Sequence, residues 1–363
     1  MAFKAHKIAL RPTDAQVTWF QQQCGYARFA FNSALADFKA GLSEGVFRSF
    51  IDLNNRRNQR KKALDWAGEQ DQRAALHGVK NLSDAVSRWR KKQNHFPKFK
   101  KRGSRQSYTV EGYQCSVDGK RIKLPKIGTV KMFSELRFEG KLKRVTVSRA
   151  AHRWFVSILV DTGIPNVPRD TRGLPVVGID VGINALATLD DSAKYENPRP
   201  LKRYERKLAR EQRKLSRKVF LSENWYKQKR KIERLHYRIA CIRKDAHHKA
   251  TTDIVKKASH IGIETLSVTS LLKNRNIAKA LSDSALGGFL EKLKSKAESL
   301  GIPIVQADRF FASSKTCSNC GHKKTDLTLS DRQYHCEACG FSEDRDVNAA
   351  INLKRLAAGY TES

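Results

Sequence analysis

Residues 176–190 read VVGIDVGINALATLD, and the fold of the second half of the chain is decided by this stretch. A short β-branched run ends in a carboxylate, Asp180, which places the acid at the edge of a buried strand. After the Gly182-Ile183-Asn184 turn, ALATLD reads as the hairpin partner of that strand. HIGIETLSV (260–268) repeats the arrangement with Glu264. A third acid, Asp346 in SEDRDVNAAINL (342–353), opens a segment in which Ala349, Ala350, Ile351, Leu353 and Leu356 recur at helical spacing. Two strand-end acids and one helix-start acid can converge on divalent ions, because Mg²⁺ takes oxygen ligands and is typically held by one or two carboxylates plus substrate phosphate. Two such ions about 3.5–4 Å apart stabilise the attacking and leaving oxygens of a phosphodiester displacement. A nuclease is the first functional reading. Taken singly, each acid has a plainer role: Asp180 as a turn residue, Glu264 as a strand terminus, and Asp344 or Asp346 as a helix N-terminal cap or charge.

Working outward, residues 201–245 read as a long basic helical pair with a narrow apolar seam at Ile232, Leu235, Ile239 and Ile242. Helix TTDIVKKAS, strand HIGIE, helix SALGGFLEKLKSKAESL and strand IPIVQAD then alternate, which implies parallel strands in an α/β sheet. The first half begins with a basic strand, residues 1 to about 12. A capping box follows, with Thr13 as N-cap and Gln16 reaching back, and helices extend to about residue 92. RIKLP, GTVKMF, LKRVTVSRA and RWFVSILVD are short antiparallel strands between 109 and 160. Proline and glycine in 161–175 mark a domain boundary.

Composition points to a polyanion. The 363 residues carry 71 Lys and Arg against 36 Asp and Glu, a formal net charge of +35, which favours counterion release from phosphates. No segment approaches the ~20 apolar residues of a spanning helix, and the N-terminal stretch lacks a signal-peptide core, so nucleic acid is a better partner than a membrane. In HFPKFKKRGSRQSYTV (95–110), Phe96, Phe99 and Tyr108 are interleaved with cations, as on surfaces that combine stacking with phosphate contacts. The plainer reading is a hinge with buried aromatics and solvated lysines. Candidate nucleic-acid contacts are Arg88, Arg90, Lys98, Lys100, Lys101, Arg102, Arg105, Lys202, Arg203 and Arg206.

Cys317, Cys320, Cys336 and Cys339 form two CxxC knuckles fifteen residues apart, a spacing suited to one tetrahedral structural Zn²⁺. Gly321 and Gly340 follow the knuckles, where a tight turn calls for positive φ. Cys24, Cys115 and Cys241 are isolated and are expected only to pack.

The ordered set GIDVGINALATL, IGIETLSV, LLKNRNIAKALSD, ADRFFASSKTCSNCG, HCEACG and DRDVNAAINL resembles TnpB, a family of transposon-encoded RNA-guided DNA nucleases related to type V CRISPR effectors. LRPTDAQ and FPKFKKRG are similar to earlier parts of that family. The resemblance implies an α/β fold, an RNase H-like RuvC nuclease domain at 173–363 with a zinc-ribbon insertion at about 313–342. It also implies an N-terminal β-barrel wedge domain at 1–172 with a helical recognition insert at about 13–95. Asp180, Glu264 and Asp346 match the family's catalytic, Mg²⁺-binding acids, with Asp344 the competitor for the third, and the four cysteines match its zinc ligands. The implied cofactors are two Mg²⁺, one Zn²⁺ and a guide RNA from the transposon end. The implied partner is double-stranded target DNA, cut beside a short flanking motif by a monomeric protein in the prokaryotic cytoplasm at the nucleoid. Two other readings are a non-catalytic regulator of transposition that binds nucleic acid, and a transposase acting directly on transposon ends.

Overall fold

A computed structural model describes residues 3–103, 105–165, 167–328 and 331–359. The first two residues of the expected N-terminal strand, two residues of the expected zinc insertion and the last four residues lie outside the described residues. The chain divides into two compact units, Met1–Pro165 and Asn166–Ser363.

In the first unit, strand β1 (Phe3–Arg11) leads into helices α1 (Asp14–Ser43), α2 (Phe50–Lys62), α3 (Asp65–Glu69) and α4 (Gln72–Arg90). Strands β2 (Ser107–Glu111), β3 (Ser116–Asp118), β4 (Arg121–Leu124), β5 (Gly128–Met132), β6 (Lys141–Ala150) and β7 (Arg153–Asp161) follow. The capping box at Thr13 forms as the sequence requires, with Gln16 N–H donating to Thr13 Oγ1 and Thr13 N–H to Gln16 Oε1 at 3.3 and 3.1 Å. All seven strands pair antiparallel in the order β2-β6-β7-β1-β5-β4-β3. Among the described residues this ladder has two ends, β2 and β3, rather than the ring of an expected barrel. Alternation along β7 buries Trp154, Val156, Ile158 and Val160 on one face, where they meet Phe20 and Cys24 of α1. A second core binds α1, α2 and α4 through Phe31, Leu35, Phe38, Leu53, Val79 and Leu82.

The second unit begins with β8 (Val176–Asp180), β9 (Ala185–Leu189) and β10 (Lys194–Glu196), followed by the helical hairpin α5 (Pro200–Ser216) and α6 (Glu223–Lys257). Next come β11 (His260–Ile263), α7 (Val268–Leu271), α8 (Arg275–Ser284), α9 (Leu286–Leu300) and β12 (Ile304–Gln306). A small ribbon of β13 (Gln333–His335) and β14 (Ser342–Asp344) runs into α10 (Arg345–Gly359). The five-stranded sheet has the order β10-β9-β8-β11-β12, with β8, β11 and β12 parallel and the β8-β9-β10 meander antiparallel. This is the mixed α/β sheet expected from the strand–helix alternation. Val177, Ile179, Ile261 and Ile263 share a core with Ile254 of α6 and with Phe289 and Leu293 of α9. The seam of α6 is buried at Ile232, Leu235 and Ile239, and only half-buried at Ile242.

Candidate functional site

Period-two alternation decides where the acids of the second unit point. Since Val177, Ile179, Ile261 and Ile263 face the α6/α9 core, Gly178 and Asp180 face the other side, as do Gly262 and the residue after the strand, Glu264. β8 and β11 pair with Gly262 opposite Gly178 and Ile263 opposite Ile179, so the two acids follow equivalent positions on neighbouring parallel strands. Helix α10 lies directly on the two glycines. A Cβ added at Gly178 would sit 1.8 Å from the Ala350 carbonyl oxygen, and one at Gly262 would sit 2.1 Å from that of Leu353. Only a residue without a side chain admits a helix backbone this close. The seating of α10 sets Asp346, in its first turn, against the ends of the two strands.

Electrostatics couple Asp180 to the other two acids. Burial, then the charges of Glu264 and Asp346, push the Asp180 carboxyl up to about 8, only partly offset by Arg345. The second strand-end acid is held from the side, for the Ser313 hydroxyl donates to Glu264 Oε1. Asp180 is thus coupled to a carboxylate on each of two other elements; among the described residues, the group of side chains gathered closely enough to hold a metal ion is the cysteine set of the two knuckles.

Asp344 is otherwise engaged. Its Oδ1 accepts from the Asp346 and Val347 N–H groups at 2.9 and 3.3 Å, which makes it the N-cap of α10. Its Oδ2 accepts from Lys194 Nζ at 2.6 Å. Partial burial raises its carboxyl, but the Lys194 ammonium and the helix N–H groups outweigh this and hold it below the usual range. Lys354 of α10 reaches Asp190 at 2.6 Å, and Asp190 accepts the Gly178 N–H at 3.0 Å, so the helix is tied back to the β8–β9 hairpin.

The same helix fastens the cysteine knuckles. Asn348, fully buried, accepts from Ser318 N–H at 2.8 Å and donates to the Thr316 carbonyl at 2.8 Å. One turn later, Asn352 donates to the carbonyls of Ser313 and Thr316. The Sγ atoms of Cys317, Cys320, Cys336 and Cys339 all lie within 4.8 Å of one another, and the pairs Cys317–Cys339 and Cys320–Cys336 are 3.8 and 3.6 Å apart. A tetrahedral Zn²⁺ with bonds of about 2.3 Å separates its sulfurs by about 3.8 Å, so the four thiols fit that ion. Both knuckles close with a glycine N–H returning to the first cysteine carbonyl at 2.9 Å, and Gly321 and Gly340 have φ of +79° and +72°.

Of the isolated cysteines, Cys24 packs in the core and burial pushes its thiol up to about 12. Cys115 is half-buried, and Cys241 is exposed rather than packed, because it falls on the outer face of α6. The interleaved segment is partly structural. Tyr108 is buried in the sheet core and closed to a base, and Phe96 is partly buried, packed on Trp89 at 5.0 Å. Phe99 is half exposed under Lys39. Lys100 is half-buried with its ammonium 3.8 Å from the centre of the Phe31 ring, and burial lowers its pKa. Arg88, Arg90, Lys98, Lys101, Arg102 and Arg105 of the first unit, and Lys202, Arg203 and Arg206 on α5 of the second, are exposed.

Sequence reasoning passed over Gly178, Gly262, Ser313, Asn352 and Lys194. Gly178 and Gly262 carried a signal: both strands read Gly-Ile-acid, which puts a glycine and a carboxylate on the same face.

Family models match three stretches: one described as "Probable transposase" over residues 157–275, a "Cas12f1-like, TNB domain" over 287–353, and a "Helix-turn-helix domain" over 1–45. In the third, the structure has one strand and a single 30-residue helix. The chain is 32% identical to the "Putative RNA-guided DNA endonuclease InsQ" of Escherichia coli over 98% of its own length and 92% of that protein's. It is 34% identical to a "Putative RNA-guided DNA endonuclease" of Streptomyces pristinaespiralis, covering 99% and 90% respectively. Among solved structures, the Cas12f1–sgRNA–target DNA complex aligns at 17% identity with a TM-score of 0.38, over 98% of this chain and 99% of that one. The near full-length relatives carry the name of one enzyme class, nucleic-acid-guided endonucleases. The chain belongs to the TnpB family of transposon-encoded RNA-guided DNA endonucleases.

Proposed function

We propose that this protein is an RNA-guided DNA endonuclease whose hydrolytic centre is formed by Asp180, Glu264 and Asp346. The observation that carries the reading is the placing of Asp180 and Glu264 at the ends of neighbouring parallel strands beneath α10, with the Asp180 carboxyl raised to about 8 first by burial and then by the charges of Glu264 and Asp346. The three acids would hold two Mg²⁺ ions, which when bound lower the pKa of water and stabilise the departing 3′ oxygen. The chain's own part is positioning: the paired glycines seat α10, Ser313 orients Glu264, and Lys194 reserves Asp344 for the helix cap. That division favours Asp346 over Asp344 as the third ligand.

The four cysteines would hold one structural Zn²⁺, locked to α10 through Asn348 and Asn352. The charge of +35 suits a protein that grips RNA and DNA backbones together. Base pairing would read the target and protein contacts a short flanking motif, the division of labour of guided effectors. The test is cleavage of a plasmid library carrying randomised flanking sequence, using protein with its copurified RNA and Mg²⁺. Cutting by the wild type and none by Asp180→Ala with RNA content unchanged supports the reading. Equal cutting by both removes Asp180 from the mechanism, and RNA of random sequence removes guiding.

A further inference from the structure

The first unit contains a cavity of about 490 Å³ between the end of α1, the start of α2 and the end of α4. Its floor is apolar, formed by Phe38, Phe50, Leu53 and Val86. Its rim carries Arg90 and Lys91 with the hydroxyls of Ser49, Ser83 and Ser87, and no carboxylate lines it. One wall is Phe47, half exposed, whose ring meets Phe38 edge-on at 5.5 Å and lies 5.0 Å from the Arg90 guanidinium. The wall is pre-formed. Val46 N–H returns to the Gly41 carbonyl at 2.7 Å. Arg48 is buried, donating to the Asp37 carbonyl and to Glu44 at 2.6 Å, while Ser49 and Asp52 form a capping box for α2. Arg48 therefore serves the loop, and the cations left for a ligand are Arg90 and Lys91.

We infer that this cavity receives one unpaired nucleotide of the bound nucleic acid, its base against Phe47 and its phosphate toward Arg90 and Lys91. The volume lies in the range of small-ligand sites. An aromatic wall beside cations is the arrangement that holds a splayed base, whose π-face stacks whatever its identity. A cationic rim without carboxylates selects an anion over a neutral apolar peptide. The inference rests on the reading of the protein as nucleic-acid-binding and is independent of cleavage.

The test uses full-length protein freed of copurified RNA and measures affinity for a 15-nucleotide single-stranded RNA, the same sequence as DNA, its blunt duplex, and an abasic strand of equal length. Phe47→Ala is expected to weaken single-strand binding by about tenfold, with abasic and duplex binding changed less than about twofold and Phe47→Trp restoring affinity. Ser87→Trp, which fills the cavity from α4 and leaves Phe47 in place, is expected to give the same loss. A larger loss on RNA than on DNA assigns the nucleotide to RNA, and the reverse assigns it to DNA. Wild-type protein that binds no nucleic acid would fell both this inference and the wider reading. Wild-type binding left unchanged by both variants, or lost equally on the abasic strand, would fell the cavity alone, as would occupation by an apolar peptide that leaves single-strand affinity intact.

Discussion

Replacing Gly178 by alanine leaves every acid, cation and cysteine in place, and is expected to disable the enzyme. The added Cβ would stand 1.8 Å from the Ala350 oxygen and 2.5 Å from the Lys354 nitrogen, both backbone atoms that no side-chain rotation can move. Real Cβ contacts do not fall below 3.0 Å, so α10 and β8 must separate by at least the difference, 1.2 Å. Overpacking of this kind costs about 1–3 kcal/mol, and the rigid neighbours put this case at the upper end. At roughly 2–4 °C per kcal/mol for a unit of this size, the melting temperature should fall by about 6–12 °C. The displacement shifts Asp346 relative to Asp180 and Glu264, and a 1 Å misplacement costs about a hundredfold in rate. Gly262→Ala, whose Cβ would stand 2.1 Å from the Leu353 oxygen, should behave likewise with a smaller loss. The assay is guided cleavage below the melting transition, with RNA affinity as control. Wild-type cutting and melting by Gly178→Ala would refute the claim that helix seating builds the site.

Asp344→Ala and Asp346→Ala should separate two adjacent roles. The first loses an N-cap worth about 0.5–2 kcal/mol and should melt lower while still cutting; the second should stop cutting with little change in melting. The reverse pattern would move the third ligand to Asp344. In chelator, the raised carboxyl of Asp180 stabilises the fold below its ordinary value of 3.8 and loses that contribution as pH climbs through about 8. Asp180→Asn should therefore melt higher than wild type at pH 9 and not at pH 4, and parallel melting curves would contradict the shift. Cys320→Ser should lower zinc content, measured by elemental analysis, together with melting temperature; an unchanged ratio of one zinc per chain would remove Cys320 from the site. RNA affinity should fall steeply and linearly on a log–log salt plot. A flat response would deny backbone contacts the main role.

Most of the strands, the long helices and the two knuckles were legible because their signals are local. β-branched runs, the Thr13–Gln16 box and paired CxxC each specify their element within a few residues. The short strands β2, β3 and β10 were not, since SYTVE sits inside a basic tract and SVD and KYE hold their conformation only through their partners. Aromatic residues among cations misled in one respect. Tyr108 is buried and Phe96 partly buried because cores are supplied from distant elements, which periodicity within one segment does not record. The three acids were legible as a set expected to converge, but the means of bringing them together was not. Their meeting depends on strand register and on two glycines read only against α10, and the assignment of Asp344 to the cap depends on Lys194, 150 residues away.

Crystals of the protein grown with Mn²⁺ in place of Mg²⁺ offer the most direct measurement, because anomalous scattering locates manganese without reference to activity. The account predicts manganese peaks bounded by the carboxylates of Asp180, Glu264 and Asp346, lost in Asp180→Ala, with Asp344 still bonded to Lys194. Full manganese loading elsewhere in the molecule, with those three side chains apart and unligated, would contradict it.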